Sequence, residues 1–155
     1  MKKIVCILLV LLTLVGCGNS ESGNGSGSSK VNKKIDENFS IIDATYTYND
    51  MDKEIYPNLK IQNNTDKDCL ISIQFYSYDK NGDKVGGNNK EVEIESGHAS
   101  WVSNICVDLD ESNFGSVKIA NYCFIEKSGS SYKRTEEIDI NPKVEVSLNE
   151  MRKEK

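Results

Sequence analysis

The sequence predicts an all-β fold, an antiparallel sandwich or barrel of about seven to nine short strands. Three observations carry that expectation. Beyond residue 35 the apolar residues alternate with period two, and no segment before the last few residues sustains a helical stripe. Turn signals built from Gly, Asn, Asp and Ser recur roughly every ten residues. No strand–helix–strand unit interrupts the series, so nothing points to a parallel sheet.

The chain opens with Met1-Lys2-Lys3, an apolar run from Ile4 to Leu14, and the tetrapeptide Leu14-Val15-Gly16-Cys17. A positive n-region, a short apolar h-region and small residues at the cut form the layout of a secretory signal. The run is shorter than the about 20 apolar residues that a membrane-spanning helix requires. The tetrapeptide resembles the lipobox of bacterial lipoproteins. That resemblance implies a signal peptide over 1–16 and acylation of the Cys17 thiol. It also implies anchoring at the outer face of a bacterial cytoplasmic membrane. An ordinary secretory signal with a chance cysteine is the alternative.

Residues 17–37 read as the lipidated cysteine and a flexible linker, since the stretch GNSESGNGSGSSKVNKK carries too little apolar surface to order itself. About 18 such residues give a reach of roughly 20 to 25 Å. Lys30, Lys33 and Lys34 form a short basic cluster near the anchor, expected to be solvated linker. Residues 38–150 form the sandwich domain, and 151–155 a charged tail expected to fray.

Within the domain, Phe39 to Tyr48 is rich in β-branched and aromatic residues and predicts a strand. Asn58 to Gln62 is a short alternating strand after Pro57, and the segment from Asn63 to Asp68 reads as a turn. Cys69 to Asp79 is the strongest strand. Its odd positions Cys69, Ile71, Ile73 and Phe75 share the face expected to be core, and Leu70, Ser72, Gln74, Tyr76 and Tyr78 share the other. Lys80-Asn81-Gly82-Asp83 has hairpin chemistry. Further strands are expected over Glu91 to Glu95, His98 to Val107, Val117 to Glu126, Tyr132 to Ile140 and Lys143 to Leu148.

The segment Phe75-Tyr76-Ser77-Tyr78-Asp79, followed by Asn81-Gly82 and Lys84-Val85, resembles the FxLYD-type domain of bacterial cell-surface lipoproteins. Leu59 to Thr65 before it, Ile94-Glu95-Ser96-Gly97 after it, and Trp101 fit the same pattern, while Ser77 stands where the family usually has leucine. The resemblance implies an immunoglobulin-like β-sandwich with no catalytic residues.

Charge narrows the partners. Lys2 and Lys3 leave with the signal and no acid leaves, so the net charge moves from −5 to −7. An acidic domain repels polyanions at long range, so nucleic acid is not expected as a partner. The expected partners are the membrane, through the lipid anchor, and a protein or an envelope glycan.

With Cys6 removed and Cys17 acylated, Cys69, Cys106 and Cys123 remain, which permits one internal disulfide at most. Cys106 with Cys123 is one pairing, and Cys69 with Cys123, stapling two sheets, is another. Three reduced, buried thiols are the third reading. The single histidine, His98, lacks a sequence context for a catalytic triad, and no spacing suits zinc. No cofactor is expected. Asp79 to Asp83 reads as a hairpin turn rather than a calcium loop, because Gly82 and Lys90 fall where an EF-hand does not want them. The second acidic cluster, Asp108 to Glu111, reads as a solvated loop.

Tyr46 and Tyr48 share one strand face, as do Tyr76 and Tyr78. Exposed together on one sheet, the four would form an aromatic platform for a sugar ring or a protein. The expected function is a membrane-anchored, extracellular, non-catalytic binding or accessory module. Alternatives are a small-ligand-binding protein associated with a transporter, and an envelope hydrolase or its inhibitor.

Overall fold

The computed structural model describes residues 31–105 and 109–154. The chain is an all-β sandwich of two five-stranded sheets around one core. The strands are β1 (Lys33–Lys34), β2 (Phe39–Asn49), β3 (Glu54–Asn63), β4 (Cys69–Asp79), β5 (Lys84–Ile94), β6 (Ala99–Val102), β7 (Phe114–Ser128), β8 (Ser131–Arg134), β9 (Ile138–Ser147) and β10 (Arg152–Lys153). A 3-10 turn, Leu148–Glu150, precedes β10. Among the described residues no helix is long and apolar enough to cross a membrane.

The first sheet runs β1-β2-β3-β6, with β10 also on β2; the second runs β5-β4-β7, with β8 and β9 paired to β7. Every pairing is antiparallel except β10 with β2, where Arg152 and Lys153 lie parallel to Thr45 and Tyr46. β4 matches its expected bounds because both of its faces are patterned strongly. Ile71, Ile73 and Phe75 are at most 1 % exposed and face the opposite sheet's Phe39, Ile41, Leu59 and Ile61 across the core. Burying each such side chain contributes roughly 1.5 to 3 kcal/mol. Tyr122 joins this core with Phe39 edge-on at 5.2 Å between ring centroids, and its hydroxyl donates to Asp36 Oδ2 at 2.6 Å.

The sandwich extends past its expected limits at both ends. Val31 is buried and β1 pairs with β2, so the linker stops short of 37. Lys33 is not solvated linker, because its ammonium pairs with Glu150 at 2.7 Å. The tail is fastened as well. Met151 is buried, Arg152 pairs with Asp43 at 3.3 Å, Lys153 pairs with Glu111 at 2.6 Å, and the Glu154 amide donates to the Tyr46 carbonyl. Two basic residues that look like a frayed end from sequence are held by acids brought to them by the fold.

Strand bounds differ from expectation in several places: β3 begins at Glu54 rather than Asn58, β7 runs past both of its expected ends, and the strand expected over Tyr132 to Ile140 is divided between β8 and β9, which continues to Ser147. β5 begins at Lys84 rather than Glu91, because Gly86-Gly87-Asn88-Asn89 pairs residue by residue with Ser77 to Gln74. β6 ends at Val102, short of the strand expected to reach Val107, whose last two residues lie outside the described ones.

Candidate functional site

The tyrosine pairs do not share a surface. A register shift between Ile41 and Asp43 in β2 switches the inward set to the even positions, so Tyr46 enters the core and Tyr48 packs against it. The Tyr46 hydroxyl donates to Glu111 Oε1 at 2.7 Å, and its pKa is pushed up to about 12 by burial, then by the hydrogen bond and charge of Glu111. Lys153 lies over both rings, 5.8 Å from the Tyr46 centroid and 5.4 Å from that of Tyr48. A four-tyrosine platform is therefore not formed.

Tyr76 and Tyr78 do face outward, half-buried, from β4 on the second sheet. Opposite Tyr76 on β5 stands Gly87, where a Cβ would come within 2.7 Å of Tyr76 Cδ1 and 2.9 Å of the Phe75 carbonyl oxygen. A side chain there would displace the ring, so the glycine lets Tyr76 lie across the sheet. Three ammoniums surround the pair. Lys84 Nζ is 3.3 Å and Lys143 Nζ 4.8 Å from the Tyr76 centroid, and Lys118 Nζ is 4.2 Å from that of Tyr78. These are cation–π contacts, worth about 0.5 to 2 kcal/mol each according to exposure.

Beside Tyr78 opens a hollow of about 330 Å³ lined by Lys118, Ser116, Glu145 and Ser147 among others. Ser116 donates to the Glu145 carboxylate and, with Lys118 at 3.3 Å, holds it below the usual carboxylate range. Glu145 is thus a fixed anion on the rim, not a general acid at neutral pH. The outer face can bind and orient a flat or polar group through an aromatic floor, ammoniums and hydroxyls.

The remaining candidate residues lie elsewhere. Cys69 and Cys123 are buried free thiols. They do not staple two sheets, since both belong to the second sheet. Cys69 points into the core, and Cys123 stands opposite Ser72 on the outer face. Arg134 reaches from β8 to Glu91 on β5 at 2.7 Å, passing over that row of the sheet. Cys17 and Cys106 lie outside the described residues, and so does the pairing of Cys106 with Cys123. His98 sits on an exposed turn with Nδ1 2.9 Å from the Ser96 carbonyl oxygen and 3.9 Å from Glu95. Asp79 closes the β4–β5 hairpin by accepting from the amides of Asn81 and Asp83, both at 2.9 Å, and Gly82 takes a φ of +87°. In the second acidic cluster, Asp110 accepts from the Asn113 amide at 3.0 Å and Glu111 is held by Tyr46 and Lys153, while Asp108 lies outside the described residues. Among the described residues no three His, Cys, Asp or Glu side chains are grouped to hold a metal ion.

Sequence reasoning missed Lys84, Lys118, Lys143 and Gly87. Counting back from the hairpin turn would have found Gly87. Lys143 is brought to Tyr76 only by the β7–β9 pairing, for which no local signal exists.

No family model and no curated protein matches the chain. Among solved structures it is similar to the C-terminal domain of wzt, with 12% identity and a TM-score of 0.38 over 79% of this chain and 77% of that one. A putative beta-galactosidase from Bacteroides fragilis gives 12% identity and a TM-score of 0.28 over 78% of this chain and 16% of that chain.

Proposed function

We propose that the chain is a membrane-tethered extracellular binding module of the FxLYD type, non-catalytic, that captures a protein or an envelope glycan with the outer face of its second sheet. The observation that carries this reading is the outward pair Tyr76 and Tyr78, seated on a rigid sheet and ringed by Lys84, Lys118 and Lys143. Aromatic rings with a polar tip are suited to an exposed recognition surface, because they offer large contact area at low entropic cost. The lipobox-like tetrapeptide ending in Cys17 supports the tether, and a tether raises the effective concentration of any partner on the same surface.

Acyl labelling tests the tether. Cells supplied with an alkyne fatty acid should label the protein, and Cys17→Ser should abolish both the label and its sedimentation with membranes. Labelling that survives in C17S would remove the anchor from this reading.

A further inference from the structure

Deepening that reading, on which it rests, we infer that the Tyr76 end of the outer face is a site for a phosphate group, held between the Lys84 and Lys143 ammoniums above the phenol ring. The argument starts from charge. The chain carries 24 acidic and 19 basic side chains, so carboxylates are in excess. At the other tyrosines with an ammonium on the ring, a carboxylate accompanies it: Lys153 over Tyr46 and Tyr48 pairs with Glu111 at 2.6 Å, and Lys118 over Tyr78 pairs with Glu145 at 3.3 Å. Tyr76 differs. Two ammoniums converge on its ring, and among the described residues neither is paired with a carboxylate. At 3.3 and 4.8 Å from one ring centroid, they are no more than about 8 Å apart. Like charges at that separation, within about one Debye length, repel each other, and a small phosphate anion that contacts both relieves the repulsion.

The scaffold fits that role. Lys84 comes from β5 and Lys143 from β9, the two sides of the β4–β7 pair, so the sheet itself sets their spacing. Gly87 leaves room for the ring, whose Cδ1 lies 2.7 Å from where a Cβ on that residue would stand. Glu145, two residues along β9 from Lys143, is already engaged by Ser116 and Lys118. Each ammonium has three donors, and a phosphate offers an acceptor oxygen to each side while the ring face supports both cations.

The test uses the chain from residue 18 onward, which contains every residue of both sheets. Inorganic phosphate and glycerol 3-phosphate are titrated at constant ionic strength while the Lys side-chain and Tyr76 ring signals are followed by NMR. Vesicles of phosphatidylglycerol, with phosphatidylcholine as control, form the third arm. The expected result is saturable movement of the Tyr76, Lys84 and Lys143 signals, weakened at least tenfold in K84Q/K143Q and unchanged in K90Q/K133Q. Competition by phosphatidylglycerol vesicles at lower phosphate concentration than glycerol 3-phosphate would identify the source as a lipid headgroup, and the reverse order a soluble ester. Absence of saturation in all three arms, or equal saturation in K84Q/K143Q, would overturn the phosphate site. The capture reading would then stand or fall separately, on crosslinking from Tyr76.

Discussion

Replacing Asn63 with leucine, a side chain of similar size, should destabilise the sandwich more than its turn position suggests. Asn63 is 0 % exposed. Its Nδ2 donates to the carbonyls of Lys67 at 2.8 Å and Ile94 at 3.0 Å, and its Oδ1 accepts from the Thr65 amide at 2.9 Å and the Thr65 hydroxyl at 2.8 Å. The residue ends β3 in the first sheet and reaches the last residue of β5 in the second, so one amide ties the sheets to the turn between them. Each of four hydrogen bonds contributes about 0.5 to 1.5 kcal/mol net, and the Ile94 carbonyl left behind in the core costs about 1 to 3 kcal/mol more. Leucine recovers some apolar burial, and water can reach the exposed Lys67 carbonyl, which brings the expected loss to about 3 to 4 kcal/mol. That is a large part of a typical domain's stability of about 5 to 15 kcal/mol. Urea unfolding followed by circular dichroism measures it, with Asn64→Ala as the control. Asn64 makes one exposed hydrogen bond to Ser40 at 2.9 Å, so its loss should cost less than about 1 kcal/mol. An N63L variant within about 1 kcal/mol of the parent, or a control costing as much, would refute the clamp.

Stability should hold to about pH 10 and fall as pH rises further, because Tyr46 and Tyr122 both have folded-state pKa values raised above the unfolded value near 10. Burial is the first cause in each, then the acceptor Glu111 or Asp36, so above pH 10 the unfolded chain releases protons that the folded chain keeps. Urea midpoints between pH 8 and 12 check this, and Tyr46→Phe should shallow the decline. On the acid side Glu111, lowered by Lys153 and then Tyr46, and Glu145, lowered by Ser116, contribute stability present above the unfolded value near 4.5 and lost as pH falls below it. Thiol labelling should leave Cys69 and Cys123 unmodified in the folded protein and modify both in urea without reductant, as mass spectrometry would record. A Cys123 that labels only after reduction would contradict a free thiol there.

β4 was legible because its two faces carry opposite chemistry over 11 residues, and a slip by one would expose Ile71, Ile73 and Phe75 together. β5 was only half legible. Gly86-Gly87-Asn88-Asn89 has the composition of a loop, and pairing with β4 overrides that preference. Asn63 reads as turn residue from sequence, and nothing local announces that its amide is buried between sheets. The tail is similar, since the acids that hold Arg152 and Lys153 are about 40 or more residues away in sequence. At the candidate site, the outward direction of Tyr76 and Tyr78 follows from alternation alone. The inward turn of Tyr46 and Tyr48 does not, because it depends on the irregularity between Ile41 and Asp43, which has no glycine or proline to mark it.

The central claim, that the outer face of the second sheet is the capture surface of a tethered module, is tested most directly by photocrosslinking on intact cells. A benzoylphenylalanine replaces Tyr76 in one strain and Lys60, on the outward side of β3 in the first sheet, in another. Defined crosslinked species from position 76 and none from position 60 are the predicted result. Equal yields from the two positions, or none from position 76, would contradict it.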